Sequence, residues 1–291
     1  MSRRLLGARV CLLAAGLAQA AAAEPLAVEF SVLSYNTHGL PAWVAGDDPE
    51  RRFPKIGALA RAYDVTLFQE DFAHHPRLRE GAGDLLLERG NLSRFRDSAV
   101  CLVLCEGSGL TFAMRLPRGW LEGVASRAYD ACSGWLGGAN DCLATKGFQH
   151  ARVVLGGRFE VHFVNTHLDA GRAPEDRDAR RAQLAGLRGY LEREAAGAPL
   201  VLGGDLNLDA ADPADAALRD EFVAALGLRD TGAAAAPGSP WQRLDYLYRR
   251  DGAEVRVELL EAGEAREFVD AGAPLSDHPA IFARLRAAAA F

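Results

Sequence analysis

Six apolar stretches of this sequence run into residues that a hydrophobic core does not select. "FSVLSYN" ends at Asn36 and "VTLFQE" at Glu70. "VHFVNTH" ends at Asn165 and His167, and "LVLGGDLN" at Asp205 and Asn207. "RLDYL" carries Asp245, and "LSDHP" presents Asp277 and His278 at a turn. Asp205 and Asn207 are two apart, so continued extended backbone would point both side chains the same way. A single "GDLN" is also an ordinary Asx-rich turn. The whole set, all Asn, Asp, Glu or His, predicts one convergent polar site. Oxygen donors without Cys favour a hard cation, Mg2+ or Mn2+, over structural zinc. Such a set suits phosphodiester hydrolysis. The cation neutralises phosphate and leaving oxygens. A carboxylate or His activates water, and a second His hydrogen-bonds the charge that develops on the phosphate.

These residues need strands and helices to bring them together. "AVEFSVLSYNTHGL" alternates and predicts the first strand. "PERRFPKIGALARAYD" places Ile56, Leu59, Ala60 and Tyr63 on one helical face. "VTLFQED" reads as a buried strand and "SGLTFAMRLP" as another. "QHARVVLGGRFEVHFVNTHLDA" predicts a hairpin turning at Gly156-Gly157. "APEDRDARRAQLAGLRGYLEREAAG" is a helix with Leu184, Leu187 and Leu191 inward, and "APLVLGGD" is a strand. "DPADAALRDEFVAALGL" has an Asp cap, Pro next and Gly after it. "QRLDYLYRR", "EVRVELLE" and the segment after "LSDHP" complete the strands. Mixed strands and helices imply a layered α/β domain.

The N-terminus has its own logic. Arg3, Arg4 and Arg9, then an apolar run from Val10 to Leu17, then "AQAAAAEP", form the pattern of a secretory signal peptide over residues 1–23. No other stretch is long and apolar enough for a transmembrane helix. Residues 24–291 then form a single domain in an oxidising compartment. Loss of three Arg and no acid moves the net charge from −6 to −9. That disfavours non-specific nucleic-acid binding, although a local basic patch would suffice for a nuclease. Cys11 leaves with the leader. Cys101 and Cys105 lie in "VCLVLCEG", read as a strand, where they would stand ~13 Å apart, beyond disulfide reach. Cys132 and Cys142 flank a Gly-rich loop and are the expected disulfide.

In order, "SYNTHGL", "FQE", "GFQHARV", "VNTHLD", "GGDLN", "RLDYLY" and "SDHP" resemble the endonuclease/exonuclease/phosphatase superfamily. Its members include deoxyribonuclease I, abasic-site endonucleases, inositol polyphosphate 5-phosphatases and neutral sphingomyelinases. The resemblance runs from about residue 30 to about residue 285. It implies a four-layer sandwich, two mixed β-sheets face to face with helices outside. It implies metal binding by Glu70 with Asn36, and an Asp277 placed near the metal. Asp205 and Asn207 match the pair that orients water and phosphate, and His167 the His that contacts phosphate. His278 matches a catalytic base or phosphate-polarising cation, and Asp245 the Asp that buttresses it.

Plainer roles stand beside these. Asn36 and Asn165 also suit strand-end caps, Glu70-Asp71 a solvated turn, and Asp245 a surface pairing with Arg243 or Arg249. Arg177, Arg180 and Arg181 read as a helix face, with Arg180 or Arg181 within reach of a phosphate. His38, His74, His75, His150 and His162 match no motif. Trp120 and Trp135, each beside or near Gly, read as loop anchors rather than lipid-contacting tips.

Lys146-Gly147, "GSGL" and "NTHLDAG" resemble sphingomyelinase-like members. Together with export and negative charge they lean to a phospholipid or small phosphodiester substrate. A secreted nuclease acting on DNA or RNA is the alternative, and a catalytically silent binding protein a third. One departure is the segment "RRDGAEVRVELLEAGEAREFVDAGAP". Membrane-attacking sphingomyelinases carry an apolar aromatic hairpin there, whereas here Phe268 is the single aromatic residue. Substrate identity and oligomeric state are not written in the sequence.

Overall fold

The computed structural model describes residues 26–42, 46–93, 107–135, 141–239 and 241–290. The expected leader, and Cys101 and Cys105 with their expected strand, lie outside the described residues. The chain runs β1 (Ala27–Asn36), α1 (Pro49–Ala60), β2 (Val65–Gln69), α2 (His75–Ala82), β3 (Leu86–Arg89), β4 (Thr111–Met114) and β5 (Leu121–Ala128). It continues through β6 (Gly147–Leu155), β7 (Phe159–His167), α3 (Pro174–Glu194), β8 (Leu200–Asp205), α4 (Pro213–Leu226) and β9 (Arg229–Asp230). It closes with β10 (Asp245–Arg250), β11 (Val255–Glu264), β12 (Val269–Asp270), β13 (Ala273–Pro274) and β14 (Ile281–Ala289).

Two mixed six-stranded sheets result, ordered β11-β14-β1-β2-β4-β3 and β5-β6-β7-β8-β10-β9. Phe30, Val32, Leu67 and Phe112 of the first sheet share a buried core with Val153, Phe163, Val201 and Leu247 of the second. Each such side chain contributes about 1.5–3 kcal/mol by leaving water. On the outer faces, Phe53 and Ile56 of α1 and Leu78 of α2 pack on Leu33 and Phe68. Leu184, Leu187 and Leu191 of α3 and Phe222 of α4 pack on Val164, Leu202 and Tyr246. This is the expected four-layer α/β sandwich.

Local signals explain the element ends. Asp212 caps α4, its Oδ1 accepting from Ala214 N at 2.8 Å and Asp215 N at 3.1 Å, and Gly227 ends the helix with φ 63°. The hairpin turns at Gly156 and Gly157, both with positive φ. The two glycines of "LGGD" have a steric cause. Gly204 has φ 155°, and a Cβ there would stand 1.9 Å from Thr166 O. Bare backbone lets β8 lie against β7 at this point.

Cys132 and Cys142 form a disulfide with Cα atoms 5.2 Å apart. Two strands lacked an alternating signature: β5 is half exposed along its length, and β3 is short.

Candidate active site

Strand register assembles the site before any side chain is considered. β7 and β8 are parallel with His167 opposite Asp205, and β8 and β10 are antiparallel with Asp205 opposite Asp245. Paired strands lie about 4.8 Å apart, so these three residues form a row across one sheet. In the facing sheet β1 and β2 are parallel with Asn36 opposite Gln69. Glu70 follows at once, with φ 57°. Such a backbone costs about 1–3 kcal/mol and persists where the surroundings over-determine it. The segment after β1 supplies that constraint: it crosses so closely that a Cβ on Gly39 would lie 2.0 Å from Glu70 O. Glu70-Asp71 is therefore no solvated turn. Asp71 is fully buried, and its Oδ2 meets His75 Nδ1 at 2.5 Å and Thr111 Oγ1 at 2.6 Å.

Asp205 joins the two sheets. Asn36 Nδ2 donates to its Oδ2 at 3.0 Å and to Glu70 Oε1 at 3.1 Å. His167 Nε2 stands 3.6 Å and His278 Nε2 3.7 Å from the same Oδ2. His278 Nδ1 lies 2.8 Å from Asp245 Oδ2. Asp245 is 3% exposed, so its partner is His278 rather than a surface Arg. Extended backbone does not continue to Asn207. Its φ is 49°, and its N–H donates to Asp205 Oδ1 at 2.9 Å. The Asx turn is itself what brings Asn207 Nδ2 to 3.3 Å from His167 Nε2.

The charges follow from these neighbours. Burial pushes Asp205 up to about 6, against the pull of His278. Burial likewise raises Glu70, opposed by Lys146 and His278. Burial disfavours a charged His278, but Asp245 and Asp205 outweigh it, and the imidazole pKa stands well above its ordinary value. His167 moves the other way, well below its ordinary value, through burial and the cations Lys146 and His278. At neutral pH the site therefore holds one imidazolium and one neutral imidazole.

Lys146 enters the site although no role was expected for it. Its Nζ lies 3.1 Å from His167 Nε2, 2.8 Å from Leu168 O and 2.6 Å from Asp141 Oδ1. Burial opposes its charge, but Asp141 and Asp169 raise its pKa and keep the ammonium. The available signal was a Lys placed directly before a buried strand. Arg180 does the reverse of what its position suggested. It is 1% exposed and donates to the carbonyls of Asp169 and Gly171 at 3.1 and 2.9 Å, serving the loop rather than a phosphate. Asn165 also stays out of the site. Buried between the sheets, it accepts from Gln69 Nε2 at 2.8 Å and donates to Phe68 O at 2.9 Å. Asp277 stands at the rim, its side chain 56% exposed and 3.1 Å from His38 Nδ1. His150 and His162 pair with each other at 2.8 Å, a structural contact. Trp120 packs against the inter-sheet core, whereas Trp135 is 51% exposed.

A family model described as the Endonuclease/Exonuclease/phosphatase family matches residues 33–278. The chain belongs to this family. Proteins named sphingomyelinase from Mycobacterium tuberculosis and Mycobacterium bovis are 28% identical to it over 278 residues, 89% of this chain and 53% of theirs. The chain thus spans about half the length of the curated relatives it matches. Among solved structures, sphingomyelinase C from Streptomyces griseocarneus superposes with TM-score 0.64 at 23% identity, covering 88% of this chain and 99% of that one. Beta toxin from Staphylococcus aureus gives TM-score 0.64 at 18% identity, over 87% and 99%. Another beta toxin structure, with TM-score 0.64 at 17% identity over 88% and 99%, has bound magnesium ions.

The family site fits a divalent cation by its donors. Glu70 and Asp205 offer carboxylate oxygen, as a hard cation requires, while Asn36 turns its Nδ2 toward both and gives its Oδ1 to the His38 N–H. Glu70 Oε2 is buried without a hydrogen-bond partner in the protein, a costly state for a carboxylate oxygen. Asp205, Asp245 and His278 also place ligating atoms within 4.8 Å of one another. There, however, Nδ1 of His278 is already bonded to Asp245, and a protonated imidazole has no lone pair for a metal. The Glu70 side is the better match.

Proposed function

We propose that this chain is an exported, Mg2+- or Mn2+-dependent phosphodiester hydrolase acting on a phospholipid headgroup, in the manner of a sphingomyelinase or phospholipase C. The observation that carries the reading is Asp205 Oδ2, faced by Asn36, His167 and His278 from both sheets. Glu70 and Asn36 would hold the cation, with Asp277 at the rim against His38. When bound, the cation supplies charge neutralisation at the phosphate.

The protein's own groups divide the remaining work. Asp205, held by the Asn207 N–H, accepts the proton of an attacking water. His278, charged and oriented by Asp245, donates to the oxygen that leaves. Asn207 and Lys146 donate to Nε2 of neutral His167 and hold the ring in place beside the phosphate site. The leader over residues 1–23 and the Cys132–Cys142 bridge support export to an oxidising compartment. Among the described residues no helix is long and apolar enough to cross a membrane. The relatives named sphingomyelinase support a lipid substrate. Phe268 tempers any membrane-inserting role: it is 4% exposed and packs on Tyr35 at 4.8 Å between ring centroids.

The test is a substrate panel in Mg2+: sphingomyelin, phosphatidylcholine, plasmid DNA, RNA and inositol phosphates. Release of a phosphorylated headgroup from either lipid is the expected result. Cleavage of DNA or RNA with both lipids intact would instead establish the nuclease reading, and no hydrolysis at all the silent one.

A further inference from the structure

Arg52 sits in α1, a helix whose other inward residues are apolar, and it is only 9% exposed. A charged side chain in that position needs partners. Its Nη1 donates to Thr37 O at 3.0 Å and to Leu275 O at 2.6 Å. Its Nη2 donates to His38 O at 2.9 Å and pairs with Asp47 Oδ2 at 2.8 Å. None of these partners belongs to its own helix.

The three carbonyls have a pattern. Thr37 and His38 follow Asn36 directly. Leu275 precedes Ser276, whose hydroxyl donates to Asn36 O at 2.7 Å and lies 3.2 Å from the His278 N–H. One guanidinium therefore grips both the segment leaving β1 and the segment entering β14. The first carries Asn36, which touches Glu70 and Asp205. The second carries His278, which touches Asp245.

We propose that Arg52 is a positioning residue of this site: it sets the spacing between the Asn36–Glu70 pair and the His278–Asp245 pair by holding Thr37, His38 and Leu275 together. The inference rests on the hydrolase reading above and adds a residue that touches no substrate. Its chemistry is specific to Arg. The guanidinium presents donors in a rigid planar fork, whereas a lysine has one nitrogen on a flexible stem. Lys at this position keeps the charge and part of the packing but cannot reach carbonyls on two segments in the same geometry.

Arg250 supplies a matched control. It too gathers carbonyls, with Nε on Ala198 O at 3.0 Å, Nη1 on Leu226 O at 3.1 Å and Nη2 on Ala195 O at 2.5 Å. It lies at the opposite end of β10 from Asp245. A purely structural role for Arg52 predicts that the two arginines behave alike.

The experiment compares Arg52→Lys and Arg52→Met with Arg250→Lys and Arg250→Met in the full-length exported protein. Three quantities are read: melting temperature, Mn2+ affinity by electron paramagnetic resonance, and kcat and KM on bis(p-nitrophenyl) phosphate. The His278 ring nitrogens are followed by NMR. Arg52→Lys should lower kcat by ~10²-fold, the scale of an ångström-sized misplacement, with KM nearly unchanged. It should weaken Mn2+ binding by ~10-fold, as loss of a ligand-orienting partner does, and shift the His278 ring signals. Arg250→Lys should leave all three intact. If Arg52→Met does not fold, Arg52→Lys still decides, because melting temperature is read on the same sample. Equal behaviour of Arg52→Lys and Arg250→Lys, or unchanged Mn2+ affinity and His278 signals in Arg52→Lys, overturns the proposal. Failure of the wild-type protein to hydrolyse any phosphodiester overturns the hydrolase reading instead, and the Mn2+ and NMR comparisons then judge Arg52 alone.

Discussion

Asp245 and His278 are joined at 2.8 Å between the two halves of the fold, Asp245 starting β10 of one sheet and His278 on the bend that enters β14 of the other. The bond uses Nδ1 and leaves Nε2 facing Asp205 at 3.7 Å. A carboxylate so placed fixes the tautomer and supports the charged form. His278→Ala should lower kcat by at least ~10²-fold, the lower range for positioned acid–base groups. Asp245→Asn should lower it too, and the double variant should lose far less than the product of the two, since the pair acts as a unit. Steady-state kinetics on the three variants checks this. Multiplicative losses would mean the two residues work separately.

Activity should be bell-shaped in pH. Asp205, pushed up to about 6 by burial, must be ionised to accept a proton, so the rate falls as pH drops through that value. His278, held well above its ordinary pKa by Asp245 and Asp205 against burial, must be protonated, so the rate falls again on the alkaline side. Removing the Asp245 charge lowers the His278 pKa. Asp245→Asn should therefore move the alkaline limb to lower pH, and a limb that stays put in the pH–kcat profile would argue against the assignment.

Chelation is the simplest probe of the Glu70 side. EDTA should abolish hydrolysis, and Mg2+ or Mn2+ should restore it. Glu70→Gln keeps the shape but loses the charge, and should weaken Mn2+ affinity by at least ~10-fold, the low end for a change in a metal's surroundings. Full activity in EDTA would remove the cation from the reaction.

The disulfide should matter to stability and to the site together. Cys132 and Cys142 are separated by 10 positions, and closing a loop of that size stabilises by about 3 kcal/mol on the chain-entropy model. Substituting both by Ser should lower the melting temperature by roughly 5–10 °C. Because Asp141, the neighbour of Cys142, holds Lys146 at 2.6 Å, kcat should fall as well. Non-reducing peptide mapping should recover the Cys132–Cys142 peptide; its absence would refute the bridge.

Residues at strand ends were legible from sequence because an apolar run that stops at Asp, Glu or His breaks a pattern. Asn36, Glu70, His167, Asp205 and His278 were singled out that way, and the structure brings them into one cluster, His167 and Asp205 by strand register and the others by side-chain contacts. Arg52 left no comparable trace, and the sequence singled out Lys146 and Arg180 without the contacts they make. Each is a buried cation whose purpose lies in carbonyls or carboxylates far along the chain, and no local period encodes that. Asn165 shares the strand-end signature with His167 and, two residues earlier, the same face of β7, but it sits one step deeper between the sheets, where Gln69 and the Phe68 carbonyl occupy its amide. Asp277 was read as metal-side and lies beside His38 at the rim, where backbone turns decide direction and spacing does not. The strand β5 was missed for a simpler reason: half exposed and containing Gly123, it shows no alternation.

The row of His167, Asp205 and Asp245 across three paired strands has a bearing on how such a protein can change. Slipping β8 by one residue would turn Asp205 to the opposite face and dismantle the reaction at a stroke. Nothing comparable guards the rim, where Asp277 and His38 stand on segments that the ladders do not hold. Inheritance of the chemistry and drift in what is recognised are thus separable in this architecture. Descendants of one ancestor can exchange what they recognise by remodelling the rim while the row across the three strands passes on unaltered.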